Sequence, residues 1–267
     1  MLVVPRWLEA PVTLTLRLAL VALVLLICLP LHYLHRLSGR PSPWPRRFLA
    51  RVGTAAGLKP TIIGSPLRSH VLFVANHLSW LDIMVLAGAS GAAFVSKDEV
   101  GRWPVLGWLA RLNNTVFIAR TERRAVRGQA DALRAALAGG QPVALFPEGT
   151  TGGGTDVLPF RASLLQSVFP PLPGLMVQPV ALDYGEAGKD IAWIGDEGAG
   201  ANARRVLSRG GVIPVSVRFL EPIDPVELGD RKALAERARA EIVAALGCSD
   251  SGLSGSRMGS ASDSDPL

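Results

Sequence analysis

The chain has 267 residues, 49% of them hydrophobic and 19% charged, enough for one sizeable core plus a membrane element. Its 28 Lys and Arg against 22 Asp and Glu give a net charge of +6, a balance suited to anionic lipid or acidic small molecules. No long Lys/Arg run occurs and aromatics do not interleave with the cations, which places nucleic acid last among partners. Two cysteines, Cys28 and Cys248, make no disulfide framework, and the four histidines lack the clustering that a zinc site needs.

In chain order, the first feature runs from Val12 to Leu34, where the only charge is Arg17 and Leu18 to Leu29 is wholly apolar. With Arg17 snorkelling towards headgroups, this stretch approaches the roughly 20 residues of a spanning helix. Pro30 leaves a shallow or re-entrant anchor open, and a buried terminal core helix is the plainer alternative. Arg36, Arg40, Arg46 and Arg47 follow the segment, against Arg6 and Arg17 before or within it. By the positive-inside rule, the expectation is an inner (cytoplasmic) membrane location with the site facing the cytoplasm.

Pro41, Pro43 and Pro45 then break the helix. Strands are expected at Val71–Ala75, Ala92–Ser96, Asn114–Ile118, Pro142–Phe146, Met176–Leu182 and Val212–Phe219. Helices are expected at Ser79–Ala89, Glu122–Ala138 and Leu228–Leu246, the second ended by Gly139-Gly140. The alternation predicts an α/β fold, a central mixed sheet flanked by helices with an N-terminal membrane-anchoring segment. The expected division is an anchor at 1–45, one α/β domain at 46–247, and a disordered Ser/Gly/Asp-rich tail at 248–267.

Two segments carry candidate chemistry. Asn76-His77-Leu78-Ser79-Trp80-Leu81-Asp82 follows a predicted strand, where α/β folds place their sites. Five residues on one continuous helix turn through about 500°, which would point His77 and Asp82 apart. They meet if His77 stays in the loop and Asp82 enters the next helix, with Ser79 as its N-cap; Asp82 then fixes the imidazole tautomer. The competing interpretation is a capping box between Ser79 and Asp82. The second segment is Phe146-Pro147-Glu148-Gly149-Thr150-Thr151, again at a strand end, followed by the Gly152–Gly154 run, which frees the backbone for close approach. A simple turn also explains Pro-Glu-Gly. The run is not a P-loop, since no Gly-Lys-Ser/Thr follows.

These blocks resemble the bacterial lysophospholipid acyltransferases, the family that contains 1-acyl-glycerol-3-phosphate acyltransferase. That family shows Asn-His-(four residues)-Asp, matched by Asn76, His77 and Asp82, and Phe-Pro-Glu-Gly-Thr, matched by Phe146 to Thr150. Between them a Phe-Ile-x-Arg pattern is matched by Phe117, Ile118 and Arg120, and a strand-embedded Pro block by Val177 to Val180. Four blocks in register cover about residues 70 to 185.

The resemblance implies an acyltransferase with His77 as general base and Asp82 as its partner. Asn76, Arg120, Glu148, Gly149 and Thr150 would bind the acceptor, and Lys97 and Arg161 are cationic candidates for the headgroup anion. The donor is an acyl thioester of acyl-carrier protein or coenzyme A, and no cofactor or metal is called for. Amides near Gly149 are placed to hold the oxyanion, and Trp103–Leu112 is either a border of an acyl-chain groove or a plain core helix. The acceptor implied is 1-acyl-glycerol-3-phosphate, giving phosphatidic acid. The alternative is lyso-ornithine lipid or another non-phosphate lysolipid, because Thr151 stands where phosphatidate-forming members often carry Arg, and Asn113-Asn114 where a Gly is common. A non-catalytic membrane lipid-binding protein is the alternative of another class.

Overall fold

The structure, a computed structural model, describes residues 6–118 and 132–247. Arg120, most of the helix expected over Glu122–Ala138, Cys248 and the tail at 248–267 lie outside the described residues. Seven strands are described: β1 (Leu58–Ile63), β2 (Val71–Ala75), β3 (Ala93–Lys97), β4 (Val116–Ile118), β5 (Val143–Leu145), β6 (Met176–Asp183) and β7 (Ile213–Phe219). They form one sheet in the order β1-β7-β6-β2-β5-β3-β4. Strands β2 to β6 run parallel, β7 is antiparallel to β6, and β1 is parallel to β7, so the sheet is mixed as expected.

The core explains why the parallel centre is so apolar. Strand β2 is buried at all five positions. Its alternate residues feed two cores: Val71, Phe73 and Ala75 face one layer, and Leu72 and Val74 the other. Fully burying such a side chain contributes about 1.5–3 kcal/mol, and Phe73→Ala would cost roughly 3–5 kcal/mol. The longer helices are α1 (Arg6–Leu37), α2 (Trp44–Ala55), α3 (Leu81–Ser90), α4 (Pro104–Leu112), α5 (Ala199–Ser208) and α6 (Arg231–Leu246). Helices α2 and α3 pack together over the first core, while α6 closes the second through Leu234, Ala235 and Ala238.

Several elements went unpredicted, β1, α2 and α5 among them. Strand β1 contains Pro60 and is exposed at five of its six positions, so it shows no alternation. It forms because β7 offers a free edge, and an edge strand tolerates proline. Helix α2 starts among the prolines that were expected only to break a helix. Pro45 sits in its first turn, where the missing N–H is no loss.

The expectation for Arg17 is corrected. It does not snorkel: only 7% exposed, its guanidinium donates to the carbonyls of Val206 (3.2 Å), Leu207 (3.5 Å) and Gly211 (2.8 Å). Val206 and Leu207 lie in the last turn of α5, whose carbonyls carry the negative end of the helix dipole. They satisfy the cation inside the fold. Gly57 (φ +99°) lies against that guanidinium, where a Cβ would sit 2.5 Å from it.

Helix α1 is continuous through Pro11 and Pro30. A stripe of Arg17, Val21, Leu25, Cys28 and His32 turns inward at helical spacing, while Leu16, Leu20, Leu23, Ile27 and Leu34 remain exposed on the other side. The stretch Ala10–Leu37 is long and apolar enough to cross a membrane by length and composition.

Candidate active site

Strand β2 ends at Ala75, and the next five residues form a loop before α3 begins at Leu81. The loop lets the expected pair meet. His77 Nδ1 lies 2.8 Å from Asp82 Oδ2. Asp82 is fully buried, and the same oxygen accepts the amides of Leu78 (2.7 Å) and Ser79 (2.9 Å). Asp82 therefore does both jobs that the sequence left open, ordering the loop and fixing the imidazole. Ser79 is not the N-cap; Trp80 holds that position without a side-chain cap, and the Ser79 hydroxyl accepts the Leu81 amide at 3.5 Å. The Ser79 main chain also donates to Asp82, because the carboxylate reaches back over the first turn.

Nδ1 is engaged by the carboxylate, which leaves Nε2 as the ring's other nitrogen, and the His77 side chain is 19% exposed. The imidazole also stacks on Phe146, with centroids 4.0 Å apart and planes 9° from parallel. Phe146 stacks in turn on Phe94 at 6.0 Å. The ring is thus held by a carboxylate at one edge and an aromatic face on one side.

The second segment grips the first through the main chain. Glu148 Oε1 accepts the His77 amide at 2.9 Å, and the His77 carbonyl accepts the Gly152 amide at 2.7 Å. Glu148 is only 3% exposed, and burial pushes its carboxyl up to about 8. Gly149 adopts φ +73° with the Arg161 guanidinium against its α-carbon, so a side chain there would be strained and would crowd Arg161. The Gly149 amide donates to the Phe146 carbonyl. Thr150 and Arg161 are exposed beside the site. The Thr151 hydroxyl donates to the Trp193 carbonyl.

Of the other expected residues, Asn76 is 2% exposed and spends its amide on Leu182, donating at 2.9 Å and accepting at 2.8 Å. It clamps β2 to β6 directly beneath the loop. Lys97 is the last residue of β3, and Arg120 is outside the described residues.

Sequence reasoning missed Tyr184, whose hydroxyl donates to Asp82 Oδ1 at 2.6 Å, and Trp80, whose indole donates to Asn202 Oδ1 at 3.2 Å. The available signal was an aromatic residue just past the fourth block, and one inside the first.

An apolar cavity of about 480 Å³ lies among α1, α2, α3 and α4; Trp80 of the loop lines it, while His77 and Asp82 do not. Phe94 lines it as well, with Leu25 of α1, Phe48 of α2, and Leu106 and Leu109 of α4. Within the stretch Trp103–Leu112, Trp103, Leu106, Leu109, Ala110 and Leu112 line this cavity.

The Acyltransferase family model matches residues 60–183. The lyso-ornithine lipid O-acyltransferase of Rhodobacter capsulatus is 36% identical over 251 residues, covering 88% of this chain and 90% of that protein. The 1-acyl-sn-glycerol-3-phosphate acyltransferase of Neisseria gonorrhoeae is 36% identical over 190 residues, 69% of this chain and 73% of that one. Among solved structures, the 1-acyl-sn-glycerophosphate acyltransferase of Thermotoga maritima superposes with a TM-score of 0.59 at 25% identity, covering 76% and 77% of the two chains. The likeness spans the sheet, the paired motifs and most of the chain on either side, and the protein belongs to the bacterial lysophospholipid acyltransferase family.

Proposed function

We propose that this chain moves a fatty acyl group from an acyl thioester to the free hydroxyl of lyso-ornithine lipid, with His77 as general base. The observation that carries the reading is the His77–Asp82 pair at 2.8 Å, in a loop whose Trp80 lines an apolar cavity. The acceptor hydroxyl gives its proton to Nε2 as its oxygen attacks the thioester carbonyl. The tetrahedral intermediate then expels the thiolate, which takes the proton back from the imidazolium. A base so held contributes about 10²–10⁴-fold. The donor is a thioester of acyl-carrier protein or coenzyme A, and its chain lies in the cavity, whose size falls within the roughly 300–1,000 Å³ of ligand sites.

Two observations favour lyso-ornithine lipid. Similarity to a lyso-ornithine enzyme covers 88% of this chain, against 69% for the phosphatidate-forming relative. Thr151, where phosphatidate-forming members often carry Arg, has its hydroxyl turned to a backbone carbonyl. The headgroup carboxylate would meet Arg161, with Lys97 and Arg120 the further cationic candidates, and Thr150 and Gly149 would border the acceptor. Asn76 and Glu148 would serve it indirectly, through β6 and the His77 amide. The second reading is 1-acyl-glycerol-3-phosphate, supported by the fold shared with the Thermotoga enzyme and by the same exposed Arg161.

Residues 1–45 would anchor the acyltransferase domain at 46–247. Helix α1 beds its exposed leucine face in the inner membrane, and the site faces the cytoplasm beside Arg36, Arg40, Arg46 and Arg47. The test is a lysolipid panel with one acyl thioester, read by thiol release and product mass, run on wild type and His77→Ala together. Acylated lyso-ornithine lipid, absent with His77→Ala, is expected. Phosphatidic acid in its place selects the second reading, and lipid binding without thiol release rejects both.

A further inference from the structure

Tyr184 follows β6 directly, is 2% exposed, and is used by none of the steps above. Its hydroxyl donates to Asp82 Oδ1 at 2.6 Å. The other carboxylate oxygen, Oδ2, takes His77 Nδ1 and the amides of Leu78 and Ser79. These two sets of donors differ in kind. The amides belong to the loop that carries His77 and move with it. Tyr184 is anchored at the end of β6, two residues past Leu182, where Asn76 clamps β6 to β2.

A carboxylate rotates easily about its last bond, and donors from one side alone leave that rotation to the loop. A donor fixed to the sheet on the second oxygen removes the freedom. It also draws charge away from the oxygen facing the imidazole. From these relationships we infer that Tyr184 is a positioning residue for acyl transfer: it locks the Asp82 carboxylate to the sheet and thereby sets the aim and the basicity of His77. This inference rests on the general-base reading of His77.

The surrounding charges leave the effect readable. Burial, reinforced by Asp82, holds the Tyr184 phenol well above its ordinary range, so it stays a donor. Glu148 faces the loop from the end of β5 and is pushed up to about 8, so it titrates on the alkaline side. Arg239 of α6 and Arg161 lie on the Glu148–Gly149 side. Asp183, the chain neighbour of Tyr184, is taken up by the Gly185 amide and Arg218. Asp156 shares a small polar cavity with Tyr184, and Glu186 and Lys189 on the next turn are exposed. Phe146 against the imidazole is uncharged. The acid limb of the pH–rate profile is therefore the place to look.

The experiment is Tyr184→Phe in the full-length protein, with kcat and KM followed against pH. Loss of one hydrogen bond to a charged group predicts a kcat about 5- to 30-fold lower, an acid limb moved up by about half a pH unit, and KM values within about twofold. Fluorotyrosine at position 184, a stronger donor, moves the limb the opposite way and serves if the phenylalanine variant folds poorly. In an Asp82→Asn background, Tyr184→Phe should add nothing further. An unmoved acid limb, or losses that multiply across the two sites, overturns the proposal. If His77→Ala is inactive while Tyr184→Phe is silent, only this inference falls; an active His77→Ala removes the general-base reading itself.

Discussion

The main-chain N–H of His77 points at Glu148 Oε1, 2.9 Å away, so the Glu-Gly-Thr segment holds the histidine by its backbone while Asp82 holds its ring. The other Glu148 oxygen takes the Leu158 amide at 3.4 Å. Glutamine at 148 would bring an NH₂ group against one of those two donors. Leaving one such group unsatisfied costs about 1–3 kcal/mol, so Glu148→Gln should lower kcat roughly 10- to 100-fold, with a smaller change in the KM of the acceptor. A rise in acceptor KM with kcat unchanged would show instead that Glu148 binds the lipid.

The same carboxyl makes stability depend on pH. Raised to about 8 by burial, it keeps a proton in the folded chain that the unfolded chain has already released. Its contribution is complete below the ordinary carboxylate range and drains away as pH climbs to about 8. Denaturant melts in detergent should lose up to about 1.4 kcal/mol per pH unit from this group between about pH 5 and 8. The Glu148→Gln protein should lack that component, and parallel curves for the two proteins would contradict the assignment.

Asp82→Asn keeps the size of the side chain but sets an NH₂ where donors already converge. We expect kcat to drop by about 10²–10⁴, close to the loss in His77→Ala, with thiol release as the assay. A double variant no worse than either single one would mark the two residues as a unit.

The cavity predicts a change of chain length. Ala110 of α4 lines it, and Ala110→Phe fills part of its volume. Long-chain donors should suffer first, with KM rising about fourfold for each methylene displaced, from about 0.8 kcal/mol per buried CH₂. Competition among thioesters of graded length measures this. A uniform loss at every length would place the chain elsewhere.

Arg17→Leu tests how α1 is seated. The helix stays apolar and should still float with liposomes, but three carbonyls lose their cation. A loss of about 1.5–3 kcal/mol is expected, with earlier proteolysis between α1 and α2. Unchanged stability would mean that the inward stripe alone holds the helix.

Local pattern made much of this protein legible. The buried run Val71–Ala75 announces a central strand whatever lies beside it, and the long apolar segment announces α1. A His and an Asp five residues apart need only a loop and a first helical turn to meet, both readable within one short window. Strand β1 escaped because an exposed edge strand needs no hydrophobic alternation, and its existence depends on β7, paired from Leu58↔Ile213 onwards.

What tertiary structure alone decided is who meets whom across the chain. Tyr184 reaches Asp82 over 102 positions, and Arg17 reaches Val206 over 189. Sequence sets the polarity and size of each side chain, because those belong to the residue. The partner that satisfies a buried hydroxyl or guanidinium is set by strand order and helix packing, because desolvation demands a partner without specifying where in the chain it lies.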